Sequence, residues 1–507
     1  MPRKRALLGI AICLLVTGCT VGPDFERPAP WWSPASWGTE PSAAKLSQAV
    51  PEPVDPQWWK LLDDPLLTSL ETRLAGANLD MRLATIRLAE ARAQLGVVES
   101  ARFPSINGNA SYTRQQQSRE GVLALQSSNP GPTPGTNANG QSGQGGVPNS
   151  RLTQPFDLFQ YGFDASWELD FWGRVARGVE SAGAQVTASA ETRRDTLVTA
   201  SAELARAYIQ LRGTQRKLDI TRQNLATARQ SLRLTQERAA GGVTTDLDVA
   251  NAAAEVEATA ALLPALEAQQ AQLVNAISFL LGEQPRALEV QLAAPRAIPA
   301  VPPRVPVGVP SELARRRPDI RQAEAQLHSA TADVGVAVAD FYPRFMLSGS
   351  GAIQGLQFHN LADWQAHTYA FGPSVTLPIF EGGRLTRTLE FRKAQQQEAA
   401  VTYQRTLLAA LHDVDNALTA YGTEQRRRAR LEAVVTQTTR ALALARMRYE
   451  QGVADFLQVL IAQRNQLTAE QDLADSTAAV STNLVQLYKA LGGGWETELP
   501  EQAQAKL

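Results

Sequence analysis

Two cysteines, four histidines and scattered carboxylates are the side chains with which this 507-residue chain could do chemistry. Their spacing argues against catalysis. His328, His359, His367 and His412 lack metal-ligand spacing, and no phosphate-cradling glycine loop accompanies them. Asp413 and Asp415 stand two apart in a helical stretch and face different directions. The carboxylates that do form a pattern are Asp164, Glu168 and Asp170, in "YGFDASWELDFWG" (161–173). There Tyr161, Phe163, Ala165, Trp167, Leu169 and Phe171 alternate with Gly162, Asp164, Ser166, Glu168 and Asp170, so a strand carries one apolar and one acidic face. Such a strand suits a soluble sheet with one wet face, or a membrane barrel greasy toward lipid and polar toward a water-filled lumen.

Cys19 closes "LVTGC", behind the basic "MPRKR" and an apolar run too short to span a bilayer. Val16 and Gly18 fit the bacterial lipobox, which implies cleavage before Cys19 and attachment of diacylglycerol and an N-acyl chain there; the alternative is an ordinary secretory peptide with an incidental cysteine. Thr20, in place of the aspartate that retains lipoproteins at the inner membrane, points to the outer membrane. Cys13 lies in the removed segment, so no disulfide, thiolate metal site or thiol nucleophile is expected. No other stretch approaches the ~20 apolar residues of a transmembrane helix, so any crossing of a membrane must use strands. Lys plus Arg (49) balance Asp plus Glu (50), which leaves no field favouring nucleic acid.

The elements that must position these residues are written twice. "ERAAGGVTTDLDV" and "MRYEQGVADFLQV" share Arg-x-x-x-Gly-Val, and Gly242 and Gly452 lie 210 residues apart, as do Gly282 and Gly492. Ser166–Leu169 and Ser374–Leu377 suggest an offset of 208, and "ARFPSI" (101–106) corresponds to "DFYPRF" (340–345). Each copy predicts a helix stopped by proline, two strands, a very long alanine-rich helix, a glycine turn and a returning helix. The strands fall at about 104–114, 157–171, 343–353 and 368–380, and the long helices at about 174–240 and 384–450. Between the first two strands lies a Gly-, Ser- and Asn-rich loop, and Pro264 interrupts the first returning helix. The chain divides into a signal segment 1–18, an anchored segment 19–65, repeats 66–284 and 311–495 joined by a Pro-rich extended connector 285–310, and a tail 496–507.

Four strands cannot close a membrane barrel, whereas three chains supply twelve. Asp164, Glu168 and Asp170 would then line the lumen, with Trp167, Phe171 and Trp172 near the membrane interface.

The lipobox followed by "VGPDFERP", then "QWWKLLDDPLL", the two Arg-x-x-x-Gly-Val turns and the closing "LYKALGGGW" resemble the TolC/OprM-type outer membrane factors, most closely the lipidated NodT branch. The resemblance implies an α+β membrane protein, trimerising into a 12-strand β-barrel on an α-helical barrel. It implies a non-enzymatic exit duct of a tripartite efflux pump, working with a periplasmic adaptor and an inner-membrane pump of the RND class. It also implies an aperture just past each tip turn, at Leu457 and Ile461 and their counterparts Leu247 and Asn251. Ile461 stands where the family's best-known members carry an aspartate, so an apolar ring would close by excluding water. Asp246, Asp248 and Asp455 are candidates for a displaced polar ring; the alternative for Asp246 and Asp248 is capping of the returning helix. Around the tips, Arg238, Gly242, Val243, Arg448, Gly452 and Val453 would dock the adaptor, or the arginines would merely complement a helix dipole. Two competing readings are a lipid-anchored periplasmic scaffold and the exit duct of a type I protein secretion system. An adaptor needs one helical hairpin between β-rich halves, and this chain has two hairpins. No cofactor is expected beyond the lipid on Cys19.

Overall fold

The computed structural model describes residues 20–28, 47–116 and 155–496. The signal segment, Cys19, nearly all of the Gly- and Ser-rich loop and the tail past Glu496 lie outside the described residues. The chain forms two compact units, and both cut across the duplication.

The first unit holds residues up to Asp24, Gln94–Ser181 and Thr331–Ala394. Its centre is an antiparallel sheet of β2 (Ser105–Gln115), β3 (Phe156–Leu169), β5 (Arg344–Gly355) and β6 (His367–Thr376), in that order. Proline stops the preceding helices and releases the chain into β2 and β5, at Pro104 and Pro343. Two expected boundaries move. β3 ends at Leu169, because Asp170 turns away to start a helix, and β6 ends at Thr376, short of Leu377 and Ile379. The registers also correct the repeat offset. Ser105 pairs with Ser166, while its counterpart Arg344 pairs with Thr376. Ser166 therefore corresponds to Thr376, an offset of 210, and Gly162 to Gly372. A slip of two residues preserves the faces of a strand, which is why the alternation alone misplaced it.

The second unit is helical. α1 (Pro65–Ala77) starts on a cap in which Asp64 accepts from the amides of Leu66 and Leu67 at 2.8 and 3.1 Å, and α2 is Leu79–Glu99. α3 (Arg174–Ala240) and α8 (Arg384–Glu450) each run 67 residues, roughly 100 Å at the usual rise. α4 (Asp246–Leu280) and α9 (Phe456–Ala490) return for 35 residues each, all at the 210 offset. α4 continues through Pro264, which removes one amide from its ladder. The connector carries one helical turn, α5 (Glu289–Leu292), and then β4 (Arg304–Pro306), which pairs in parallel with β1 (Gln48–Val50); α6 (Leu313–Arg316) and α7 (Pro318–Ala339) follow. The core lies where α1, α3, α4, α8 and α9 converge, around Trp58, Leu70, Leu204, Tyr208, Ile277 and Tyr488. Trp58 stacks on Tyr488 with ring centres 5.5 Å apart.

Both repeats solve one capping problem in the same place. The Asn78 amide donates to the Leu280 carbonyl at 2.8 Å, and its counterpart Arg317 donates to the Ala490 carbonyl at 3.0 Å. These bonds satisfy the exposed carbonyls that end each returning helix.

The buried carboxyl of Glu71 is held by a neutral hydroxyl rather than by a cation. Glu71 accepts from the Ser201 hydroxyl at 2.8 Å, and its Oε1 has no hydrogen-bond partner. Burial pushes this carboxyl well above 4.5, and the Ser201 hydroxyl offsets this only in part. Folding therefore takes up a proton, and stability falls as pH rises from about 4.5 toward the folded value. Glu71→Gln should raise the thermal unfolding midpoint by a few degrees near neutral pH, and the gain should vanish on acidification below about 4.5. Differential scanning fluorimetry at the two pH values checks this, and an unchanged midpoint at neutral pH contradicts it.

Candidate functional site: a two-faced sheet and paired hairpin tips

Cross-strand partners share a face, so the registers sort every strand residue. One face gathers Ile106, Tyr161, Phe163, Trp167, Leu347, Phe371 and Val375; the other gathers Asn107, Asn109, Ser111, Asp164, Ser166, Ser348, Ser350 and Ser374. The predicted division into an apolar and a polar wall holds through the middle of the sheet; at the far end of β2 and β3, Arg114 and Asp157 stand on the apolar face and Phe156 and Leu158 on the polar one. The three acids differ in what they do there. Asp164 stays on the polar face and accepts from the Asn109 amide. Glu168 is held by Arg174 through two bonds of 2.8 and 2.6 Å, which neutralises it. Asp170 is not a wall residue. It accepts from the amides of Val175 and Ala176 at 3.0 and 2.7 Å and caps α3, as a carboxylate at a helix N-terminus should. Asp170 sits one residue past the strand, where the alternation still appeared to continue.

The aromatics collect where strand passes to helix. The Trp167 indole donates to the Arg102 carbonyl at 3.0 Å, and Phe171 meets Phe345 edge-on at 4.9 Å. Trp172 stacks on Tyr342 at 4.7 Å and donates to the Pro343 carbonyl at 2.9 Å. Arg177 went unread in the sequence, for its partners are distant in the chain. Almost wholly buried, it pairs with Asp24 and Glu180 and donates to the Val21 carbonyl, so residues 21–24 are fastened beside Trp172.

The hairpin tips explain Arg-x-x-x-Gly-Val as a helix ending. The Val243 amide reaches back to the Arg238 carbonyl and that of Gly242 to Ala239, each at 2.9 Å; Val453 and Gly452 repeat this with Arg448 and Tyr449. The pattern is a Schellman cap, and it needs the positive φ of Gly242 (72°) and Gly452 (75°). The two arginines then diverge. Arg238 lies over the Tyr449 ring at 4.7 Å and donates to the Glu450 carbonyl at 3.1 Å, so it ties the first tip to the C-terminus of α8. It complements a helix dipole, but that of the other hairpin. Arg448 is exposed.

Of the tip acids, Asp248 is used locally: with Thr245 it completes a capping box, and Thr244 also donates to it. Asp246 lies exposed in the first turn, and Asp455 makes no capping bond. Phe456 is buried against Tyr449, Val459 and Leu460. Leu457 and Ile461, one turn apart, remain 58% and 51% exposed. Leu247, Val243 and Val453 are exposed as well, while Asn251 is half-buried. Among the described residues no three His, Cys, Asp or Glu side chains gather as a metal site.

The cross-hairpin bond of Arg238 is charge-assisted and worth about 1.5–3 kcal/mol. Arg238→Ala should therefore raise hydrogen exchange at residues 450–455 by about tenfold or more, while Arg448→Ala should leave it unchanged. Equal effects in both variants would contradict this division of labour.

The family model for outer membrane efflux proteins matches residues 72–283 and 309–493. Outer membrane protein OprJ of Pseudomonas aeruginosa is 32% identical over 488 residues, covering 96% of this chain and 95% of that protein. The solvent efflux pump outer membrane protein SrpC of Pseudomonas putida is 29% identical over 95% of this chain and 97% of its own. Among solved structures, the outer-membrane channel OprN superposes with a TM-score of 0.82 at 34% identity, over 94% of this chain and all of that one. With its two-faced sheet and duplicated hairpins, this chain belongs to the outer membrane efflux protein family.

Proposed function

We propose that three copies of this chain form the outer membrane exit duct of a tripartite efflux pump, closed at its hairpin tips by an apolar ring. The observation that carries the reading is the four-stranded sheet, apolar on one face, polar on the other and open at both edges. Three sheets pool twelve strands, turn their aromatics to lipid and line a lumen with Asn, Ser and Asp164. The duct is passive: no step of catalysis or coupling is assigned to it. It receives small molecules from an inner-membrane transporter of the RND class through a periplasmic adaptor. Cys19 carries the diacylglycerol and N-acyl anchor. Arg448, Val243 and Val453 offer the adaptor an exposed cation and apolar contacts, whereas Arg238 is committed within the tip.

At the tip, Leu457 and Ile461 share one face of α9, with Leu247 on the companion hairpin. Meeting near the trimer axis, the six side chains at 457 and 461 would gain on the order of 10 kcal/mol from full burial. That suffices to hold a dewetted closure without carboxylates, and Asp248 is already spent as a cap. Leu457→Ser and Ile461→Ser should each raise basal conductance severalfold in planar bilayers. Unchanged conductance in both would remove the apolar gate.

A further inference from the structure

We infer that the outward end of the sheet is a contact for a lipid phosphate: Arg114, on the lipid-facing side of β2, binds a phosphate of the lipid A of the outer leaflet. The inference rests on the barrel reading above. What carries it is a reversal of the two faces. Through the middle of β2 and β3 the apolar residues share one face and the polar residues the other, but at the far end Arg114 pairs with Asp157 on the apolar face. Phe156 and Leu158 take the polar face beside them, opposite Gln115 and Thr113. A strand end standing free in water has no need of such an exchange. One that passes from hydrocarbon into a layer of charged headgroups does, because there its outer surface meets charge.

The height of the pair agrees. β3 leads into α3 through Trp172, and residues 21–24 are fastened beside Trp172, so the N-terminal segment and the helix both leave the sheet at its Trp167 end. That end belongs to the periplasmic leaflet and the Arg114 end to the outer one. Trp167 and Asp157 lie on the same face of β3, ten residues apart. At ~3.3 Å per residue and a tilt of about 40°, the ladder rises roughly 25 Å between them, the height of the apolar band of an outer-membrane barrel. A second aromatic group closes the band at the top. Tyr112 packs on Phe159 with ring centres 4.9 Å apart, and Phe159 meets Phe358 edge-on at 5.8 Å. Arg114 stands two residues beyond Tyr112 on the same face, in the headgroup layer.

The guanidinium is open to a ligand there. Its ion pair with Asp157 runs through Nη1 at 3.5 Å, and the same Asp157 oxygen already accepts from the Tyr112 hydroxyl at 2.9 Å. The Arg114 side chain is 65% exposed, against 30% for Arg174, which holds Glu168 through two bonds. A planar guanidinium with an edge that Asp157 does not engage matches two oxygens of a phosphate. Lipid A presents such phosphates in the outer leaflet, whereas the phosphates of the inner-leaflet phospholipids lie at the Trp167 end.

Thermal unfolding of the purified full-length protein in detergent tests the contact, with bisphosphorylated lipid A and its dephosphorylated form as probes. The concentration of bisphosphorylated lipid A that half-saturates the rise in unfolding midpoint should be about tenfold lower than that of the dephosphorylated form. Arg114→Gln should erase the difference, and Arg114→Lys should keep part of it. Equal response to the two lipids in the unsubstituted protein, or an undiminished preference in Arg114→Gln, overturns the contact. An Arg114-dependent response to phosphatidylglycerol as strong as that to lipid A overturns the choice of lipid A. Arg114→Cys separates these outcomes from failure of the barrel reading: a membrane-impermeant maleimide should label it from outside intact cells. Labelling only after the outer membrane is permeabilised puts this end of the sheet in the periplasm and removes the barrel reading itself.

Discussion

Backbone amides and carbonyls cannot be left bare in hydrocarbon. Each unpaired group costs several kcal/mol there, and a four-stranded sheet has two edges carrying a row of them. In this chain the edges are β2 and β6, eleven and ten residues long, and within a chain only their inner sides are paired. Edge strands in water are blunted by charge, proline or bulges. Arg114 on β2 and Pro373 on β6 are such residues, but the apolar face still continues onto both edges, with Ile106 and Tyr112 on one and Phe371 and Val375 on the other. A sheet made this way is one part of a closed wall. The polar opposite face, the interface aromatics and the helices that leave the sheet all follow from that.

Duplication supplies the wall economically, and the two copies are not interchangeable. The long helices and the returning helices have equal lengths, and both returning helices are capped by the residue that opens the strand-directed helix of their own repeat. The tips break the symmetry. The first has a capping box built on Thr245 and Asp248, whereas the second has Asp455 with no capping bond. Tyr449 stands where the first copy has Ala239, and Arg238 uses that ring and the adjacent carbonyl to bind one hairpin to the other. An opening that separates the hairpins has to break this contact, and Arg448 makes no equivalent one across to the first tip among the described contacts.

Much of the fold was legible because it rests on periodicity. A two-residue alternation and a helix-stopping proline located the strands, and the bounds of both long helices agree with the glycines that end them. What escaped depends on partners distant in the chain. The β1–β4 pair joins two three-residue strands whose sequences carry no signal of each other. Asp170 kept the parity of the strand and yet caps a helix, because a turn at Phe171 and Trp172 is invisible to a pattern of period two. Arg238 carried the same motif as Arg448, and only packing shows that a tyrosine of the other repeat claims it. The aperture positions were assigned by resemblance rather than by chemistry; Leu457 and Ile461 are exposed in the single chain.

The duct depends on the pooling of sheets. The most direct measurement is the native mass of the detergent-extracted protein with the detergent contribution subtracted. Three chains per particle are expected, which pairs every strand edge. A stable monomer would leave two bare edges per sheet in the membrane and would contradict the duct.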